Sequence, residues 1–149
     1  MTIDGSVETG AVPAELFWLA LTGVLVFVQM LLASSARAMA FGFDWAAGPR
    51  DDTPGEVSPR AMRLDRAYRN ILETFPIFAV AAIGVVVAGI SSPVTVLGAQ
   101  IYFFGRLAYV PAYVFHVPML RSLVWIAALA GLGMVIVPLL VAGLPAAFP

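Results

Sequence analysis

The chain has 149 residues, of which 61% are hydrophobic and only 11% are charged, and its net charge is −1. A soluble domain of this length has about a quarter of its residues charged, so this composition excludes an ordinary soluble domain and predicts a membrane protein. The absence of cysteine excludes disulfides, cysteine nucleophiles and cysteine-based metal sites. The single histidine, His116, gives no reason to expect a metal site, and we expect no nucleic-acid partner.

Four apolar segments follow one another along the chain, and a helix needs roughly 20 apolar residues to cross a bilayer. They predict helices over residues 13–40, 60–90, 93–117 and 118–143. Pro13 suits the first turn of the first helix, and Ser92 is the predicted N-cap of the third. Gly143 and Pro145 predict the end of the fourth helix.

The polar stretch 43–59 is the longest predicted loop. Three prolines fall inside predicted helices, where a membrane bundle tolerates them as kinks: Pro76, Pro111 and Pro138. Two pairs of small residues permit close helix contact: Gly84 with Ala88, and Ala127 with Gly131. The sequence therefore predicts one all-α domain over residues 1–149, a membrane protein built as a bundle of four transmembrane helices.

The basic residues are all arginines, and they gather toward one end of the predicted bundle. The eight are Arg37, Arg50, Arg60, Arg63, Arg66, Arg69, Arg106 and Arg121. The loop 43–59 and the turn between the third and fourth helices lie on the same side, where these arginines cluster. The positive-inside rule places that side in the cytoplasm. We therefore expect both termini in the periplasm of a bacterial inner membrane.

Three predicted helices carry a polar face toward this arginine-containing end. The second helix presents Arg66, Asn70 and Glu73 at the i, i+4, i+7 spacing of one helix face, and Arg69 can pair with Glu73 one turn on. The third helix presents a similarly spaced face: Tyr102, Arg106, Tyr109 and Tyr113. The fourth begins with Arg121 and Ser122, with Trp125 one turn deeper.

Two interpretations of these faces remain open from the residues alone. The charged groups could form buried ion pairs that fix the helix register, with the tyrosines as interfacial anchors and Arg121 extending to the membrane surface. The alternative is a ligand site, because four arginines (Arg66, Arg69, Arg106 and Arg121) face only Glu73 and Asp65 on these helix faces. Guanidinium groups without a carboxylate at membrane depth favour an anionic ligand, and their planar fork suits a carboxylate.

Two segments of the sequence resemble the MAPEG family, the membrane-associated proteins in eicosanoid and glutathione metabolism. Residues 66–76 (RAYRNILETFP) resemble the second-helix signature of that family. Residues 105–109 (GRLAY), with Tyr113 and then Arg121 and Ser122, are similar to its third- and fourth-helix signature. The similarity extends over about residues 15–140, and residues 44–51 (DWAAGPRD) look like the loop of its bacterial branch.

The resemblance implies a homotrimer of four-helix subunits that binds glutathione as cosubstrate between adjacent subunits near the cytoplasmic face. Carried over by position, the implied glutathione-binding residues are Arg37, Arg66, Arg69, Asn70, Glu73, Tyr109, Tyr113 and Ser122. Arg121 matches the arginine that stabilises the glutathione thiolate, and Arg106 matches a buried structural arginine. Some family members have histidine in place of Tyr109 or tyrosine in place of Thr74, and the 113–121 segment varies in length.

The function that the resemblance implies is a glutathione-dependent transferase or peroxidase acting on lipophilic electrophiles, with membrane lipid as its surroundings and source of substrate. The alternative is a non-catalytic membrane subunit that keeps the fold and binds another membrane protein. A small transporter is disfavoured, because transporters of this size usually show internal repeats, and the sequence shows none.

Overall fold

The computed structural model describes residues 11–51 and 55–147, and every regular element in these residues is a helix. In chain order the helices are α1 (Ala14–Phe41), α2 (Phe43–Ala47), α3 (Pro59–Val87), α4 (Pro93–Val114) and α5 (Pro118–Ala147). The prediction of an all-α protein with four long helices is confirmed. The predicted loop 43–59 needs a correction, because its first five residues form the short helix α2.

Two helices end earlier than predicted because a residue with positive φ follows each of them. Gly89, at φ 67°, ends α3 at Val87 instead of residue 90, and glycine is the usual residue at this position. His116, at φ 60°, ends α4 at Val114 instead of residue 117. In both places the chain then turns directly into a helix that begins with proline.

The predicted start of α4 is confirmed, whereas the predicted end of α5 is wrong. Ser92 caps α4, and its side chain and that of Thr95 bond each other's backbone N–H groups in a capping box. The last helix continues past Gly143 and Pro145 to Ala147. A proline in a membrane helix is tolerated where the freed backbone groups find other partners, so Pro145 does not end this helix.

The four long helices run antiparallel to their chain neighbours. An Arg37–Asp65 ion pair of 3.2 Å joins the end of α1 to the start of α3. Arg63 Nη1 donates to the Val114 carbonyl at 2.9 Å, which joins the start of α3 to the end of α4. These ends, together with α2 and the start of α5, form what we call the arginine-rich end; the other extremity of the bundle is the opposite end.

The most extensive helix pairing is that of α4 with α5, followed by that of α1 with α3. Glycines permit the first of these. A Cβ added at Gly131 would lie 2.6 Å from the Gly98 carbonyl oxygen, and one added at Gly98 would lie 2.7 Å from the Gly131 carbonyl oxygen. The two backbones therefore touch. Of the small residues singled out in the sequence, Gly131 makes this contact and Gly84 packs against Leu139.

The core lies between α3, α4 and α5 and centres on stacked aromatic rings. Phe78 and Tyr102 are fully buried, and their ring centroids lie 4.1 Å apart. Around this bundle, large apolar side chains remain exposed along the helices, Val80 at 69% and Val141 at 58% among them. Helices α1, α3 and α5 are long and apolar enough to cross a membrane. The chain is thus an integral membrane protein whose apolar outer surface suits lipid.

Candidate functional site

Three neighbouring clefts at the arginine-rich end hold the predicted site residues, and shared residues connect them. The central cleft, of about 390 Å³, is lined by the starts of α3 and α5 and the end of α4. The tyrosine cleft, of about 420 Å³, shares Tyr113 and Arg121 with it. The side cleft, of about 570 Å³, lies between α1, α2 and α3 and shares Met62 and Arg66 with the central cleft.

Stacked aromatic rings form one wall of the tyrosine cleft. Tyr109 and Tyr113 stack with ring centroids 5.5 Å apart, one helical turn from each other on α4. The Arg121 guanidinium carbon lies 5.4 Å from the Tyr113 ring centroid, which is a cation–π contact. Asn70 and Ser122 also line this cleft, and Ser122 Oγ donates to the Pro118 carbonyl at 3.2 Å. The aromatic wall and the cation thus come from two successive helices.

The central cleft holds guanidinium groups that the fold does not neutralise. Arg66 and Arg121 both line it, and neither donates a hydrogen bond or forms an ion pair with any residue that the structure describes. Arg63, on the same cleft, is bonded to the Val114 carbonyl. Two cations without an acceptor on one concave surface are an arrangement that suits an anionic group.

Arg106 lies behind the tyrosine cleft and is only 1% exposed. Its Nη1 donates to Asn70 Oδ1 at 2.8 Å and its Nη2 donates to Thr74 Oγ1 at 2.6 Å. Thr74 Oγ1 also lies 2.9 Å from the Tyr102 hydroxyl. This network joins α4 to α3, so the structural position that the sequence predicted for Arg106 is confirmed. It also fixes the orientation of Asn70, whose amide lines the tyrosine cleft.

The predicted pairing of Arg69 with Glu73 is wrong. Arg69 Nε donates to Asp65 Oδ2 at 2.8 Å, one turn earlier on α3, and Arg37 reaches the other oxygen of the same carboxylate. Asp65 lies between the two arginines and therefore attracts both. Glu73 is exposed instead, with Asn70 Nδ2 at 3.4 Å from its Oε2.

The structure divides the residues that the sequence singled out between these surfaces. The tyrosine cleft brings together Asn70, Tyr109, Tyr113, Arg121 and Ser122. The central cleft brings Arg66 together with Tyr113 and Arg121. Glu73 does not line the tyrosine cleft itself, but its carboxylate accepts a hydrogen bond from Asn70, which does. Arg37 and Arg69 line the side cleft and do not face the tyrosines in the same chain.

Two residues of this region were not predicted from the sequence. Thr74 was noted only as a departure from tyrosine, yet its hydroxyl connects Arg106 to Tyr102. Its spacing of four residues from Asn70 is the signal that could have placed it on the same face. His116 also lines the central cleft. No spacing rule indicated its position, because it lies in the turn between α4 and α5.

Comparison with known families gives one result. The model of the MAPEG family matches residues 16–141, which include α3 and α4, most of α1 and α5, and every cleft residue described above. Comparison with curated proteins and with solved structures gave no significant match. The family match covers most of the chain and confirms the resemblance on which the sequence analysis drew. The chain belongs to the MAPEG family.

Proposed function

We propose that this protein is a glutathione-dependent membrane enzyme, a transferase or peroxidase acting on lipophilic electrophiles. The observation that carries the proposal is the pair of unneutralised guanidinium groups, Arg66 and Arg121, on the connected central and tyrosine clefts. Family membership supports glutathione as the cosubstrate. The clefts lie where α3, α4 and α5 meet the membrane surface, so that a water-soluble thiol and a lipid-dissolved electrophile can both reach them.

Glutathione carries a carboxylate near each end and one ammonium group, and the two clefts offer matching charges. Arg66 and Arg121 can donate hydrogen bonds to carboxylate oxygens and to a thiolate sulfur. The exposed carboxylate of Glu73, beside Asn70, is an acceptor for the ammonium group. The hydroxyls of Tyr109 and Tyr113 complete the polar lining. In this proposal Arg37 and Arg69 contribute from the side cleft, and the homotrimer places side clefts beside neighbouring subunits.

The proposed chemistry uses the thiol of glutathione and no protein nucleophile. A free thiol with a pKa of about 8.5 is mostly protonated at neutral pH, and an adjacent guanidinium favours the thiolate. Arg121 is the residue proposed for this task. In conjugation the thiolate sulfur forms a bond to carbon, the leaving group departs with its bonding electrons, and the thiol proton passes to water. In peroxide reduction the thiolate sulfur bonds to one oxygen of a hydroperoxide as the O–O bond breaks, which releases an alcohol and leaves a glutathione sulfenic acid. A second glutathione then displaces that oxygen as water and forms the disulfide.

The proposal also includes the arrangement in the membrane. Helix α4 has 22 residues and extends from the opposite end to the arginine-rich end, a length of about 33 Å at 1.5 Å per residue. We propose that it crosses the bilayer with the other three and that Arg106 and the tyrosines lower its hydropathy. Arginine placement favours a bacterial inner membrane with the arginine-rich end in the cytoplasm and both termini in the periplasm.

Calorimetry of glutathione binding to the detergent-solubilised protein tests the first half of the proposal, and conjugation of a chlorinated nitrobenzene tests the second. We expect Arg121→Gln to lower kcat/KM about 100-fold at neutral pH, while glutathione still binds. The loss should diminish at alkaline pH, where glutathione ionises without help. Arg60→Gln is the matched control, because Arg60 is exposed and lies outside all three clefts.

The result that overturns the proposal is the absence of glutathione binding to the intact, folded oligomer. Binding without conjugation or peroxide reduction would favour the alternative of a non-catalytic subunit with the same fold. Purification with another membrane protein at constant stoichiometry, unaffected by Arg121→Gln, would favour that alternative further.

A further inference from the structure

The turn between α4 and α5 has a histidine at a position where helices usually have glycine. The His116 backbone N–H donates to the Tyr113 carbonyl at 3.3 Å, and the Val117 N–H donates to the Ala112 carbonyl at 3.0 Å. These two bonds, with φ of 60° at His116, form the Schellman motif that ends many helices. Glycine is favoured at the residue with positive φ, because a Cβ atom is disfavoured there.

The same motif ends α3 at the opposite end of the bundle, with the expected glycine. The Gly89 N–H donates to the Val86 carbonyl and the Ile90 N–H to the Val85 carbonyl, both at 3.1 Å, and Gly89 has φ of 67°. A Cβ at Gly89 would meet nothing within 4 Å, whereas the side chain of His116 lines the central cleft. The backbone of the α4 turn therefore needs no histidine, and the reason for one lies in the cleft.

The other polar side chains of the central cleft cannot accept a proton at neutral pH. They are Arg63 and Arg66 from α3, Tyr113 from α4 and Arg121 from α5, and no residue that lines this cleft is acidic. Guanidinium groups and phenols keep their protons at neutral pH, whereas imidazole exchanges its proton in this range. Among the described residues that line the cleft, His116 is therefore the one suited to proton transfer.

The proposed glutathione chemistry requires such a proton acceptor. A guanidinium at Arg121 stabilises the negative charge of the thiolate, but it has no lone pair with which to take the thiol proton. Stabilising the thiolate and removing the proton are thus two tasks for two groups. His116 lines the same cleft as Arg121 and is exposed, so its ring can receive a proton in the cleft and release it to solvent.

We propose that His116 carries the thiol proton of glutathione from the central cleft to water. The S–H bond breaks, its electron pair stays on the sulfur beside Arg121, and the lone pair of an imidazole nitrogen binds the proton. The imidazolium then gives the proton to water, which regenerates the neutral ring. This inference rests on the proposed function and divides its first step: Arg121 determines how much thiolate is present, and His116 determines how fast it forms.

Rapid mixing of the intact, detergent-solubilised protein with glutathione, without an electrophile, tests this division. The ultraviolet absorbance of the thiolate reports both the rate and the final amount. We expect His116→Gly to slow thiolate formation about 100-fold at neutral pH with little change in the final amount. Arg121→Gln should instead lower the final amount. Glycine suits the first variant because it adopts this turn without strain, as Gly89 does.

Two further readouts separate proton transfer from a structural role of the turn. In the unsubstituted protein the rate should rise with pH through the titration range of imidazole, because only the neutral ring accepts a proton. His116→Gly should lose this rise, and imidazole added to the buffer should restore most of the rate. His116→Asn should be as slow as His116→Gly, since asparagine also tolerates positive φ. Phe115→Leu is the matched control, because Phe115 is 74% exposed and lies outside all three clefts.

The possible failures are distinguishable. If glutathione binds and both His116 variants form thiolate as fast as the unsubstituted protein, this inference is overturned while the proposed function stands. A slow rate that added imidazole does not restore, or that Phe115→Leu shares, would assign the effect to the structure of the turn and would also overturn it. If the unsubstituted protein binds no glutathione, the proposed function and this inference are both lost.

Discussion

Charged residues at the two ends of the bundle differ in whether they have a hydrogen-bond partner. At the opposite end Glu15 is 1% exposed, and its Oε1 accepts a hydrogen bond of 2.6 Å from Thr95 Oγ1 in the capping box of α4. At the arginine-rich end Arg66 and Arg121 line clefts and have no acceptor among the described residues. Charge at the opposite end therefore serves the contact between α1 and α4, whereas charge at the arginine-rich end remains available to a ligand.

Between the ends, Arg106 is a charged residue buried inside the bundle. Its guanidinium is surrounded by neutral acceptors on α3, and its buried Nε has no partner in the described residues. A buried cation without a carboxylate is retained only where several hydrogen bonds stabilise it. The comparison of the two ends can be tested by asking where substitutions affect stability and where they affect only binding.

We expect the largest effect on stability from Arg106→Leu. This substitution removes two charge-assisted hydrogen bonds and leaves Asn70 Oδ1 and Thr74 Oγ1 without their donor, so the free energy of unfolding should fall by about 3 kcal/mol. Unfolding in mixed detergent micelles measures it. A loss below about 1 kcal/mol would mean that removing the buried charge offsets the lost hydrogen bonds, and that the network is not what joins α3 to α4.

Gly131→Ala should have the second largest effect on stability, because the new Cβ would lie 2.6 Å from the Gly98 carbonyl oxygen and from the Tyr102 backbone nitrogen. Backbone atoms cannot move aside as a flexible side chain can, so we expect a loss of about 2 kcal/mol. Gly133→Ala is the matched control two residues away, where nothing lies within 4 Å of the added Cβ. That change should be neutral or stabilising by up to about 1 kcal/mol. Equal effects of the two substitutions would contradict the close α4–α5 contact.

Glu15→Gln tests the opposite end directly. The substitution converts a charge-assisted hydrogen bond to Thr95 into a neutral one, and we expect the free energy of unfolding to fall by about 1 kcal/mol. Glu56→Gln provides the comparison, since Glu56 is exposed and has no partner among the described residues. It should change stability by less than about 0.5 kcal/mol. An unchanged stability in both variants would remove the distinction between the ends.

Arg121→Gln should have the smallest effect on stability, within about 0.5 kcal/mol, because only an exposed cation–π contact with Tyr113 is lost. The same variant has the large effect on kcat/KM described above. A thermal unfolding curve and a conjugation assay on one preparation measure both. If stability fell as much as in Arg106→Leu, Arg121 would be a structural residue and the comparison would fail.

Several features of the fold could be predicted from particular residues. The Ser92 cap followed from a serine before proline at the start of an apolar run, and both local signals act within one turn. The position of Arg106 on one helix face with Tyr102 and Tyr109 followed from their spacing, and its buried structural role followed from the family resemblance. The end of α4 could not be predicted this way, because positive φ is uncommon for residues other than glycine and no local motif indicates it at His116.

The sequence by itself determined that the chain is an all-helical membrane protein of the MAPEG family, because apolar length, charge placement and local motifs are properties of consecutive residues. Only the tertiary structure decided which charges meet. Arg69 has carboxylates one turn away on either side, and it pairs with Asp65, the carboxylate that Arg37 of α1 also reaches. The tertiary structure also placed Arg37 and Arg69 in a different cleft from Tyr109 and Arg121. Spacing within a helix fixes a face, but partners on other helices depend on how those helices pack.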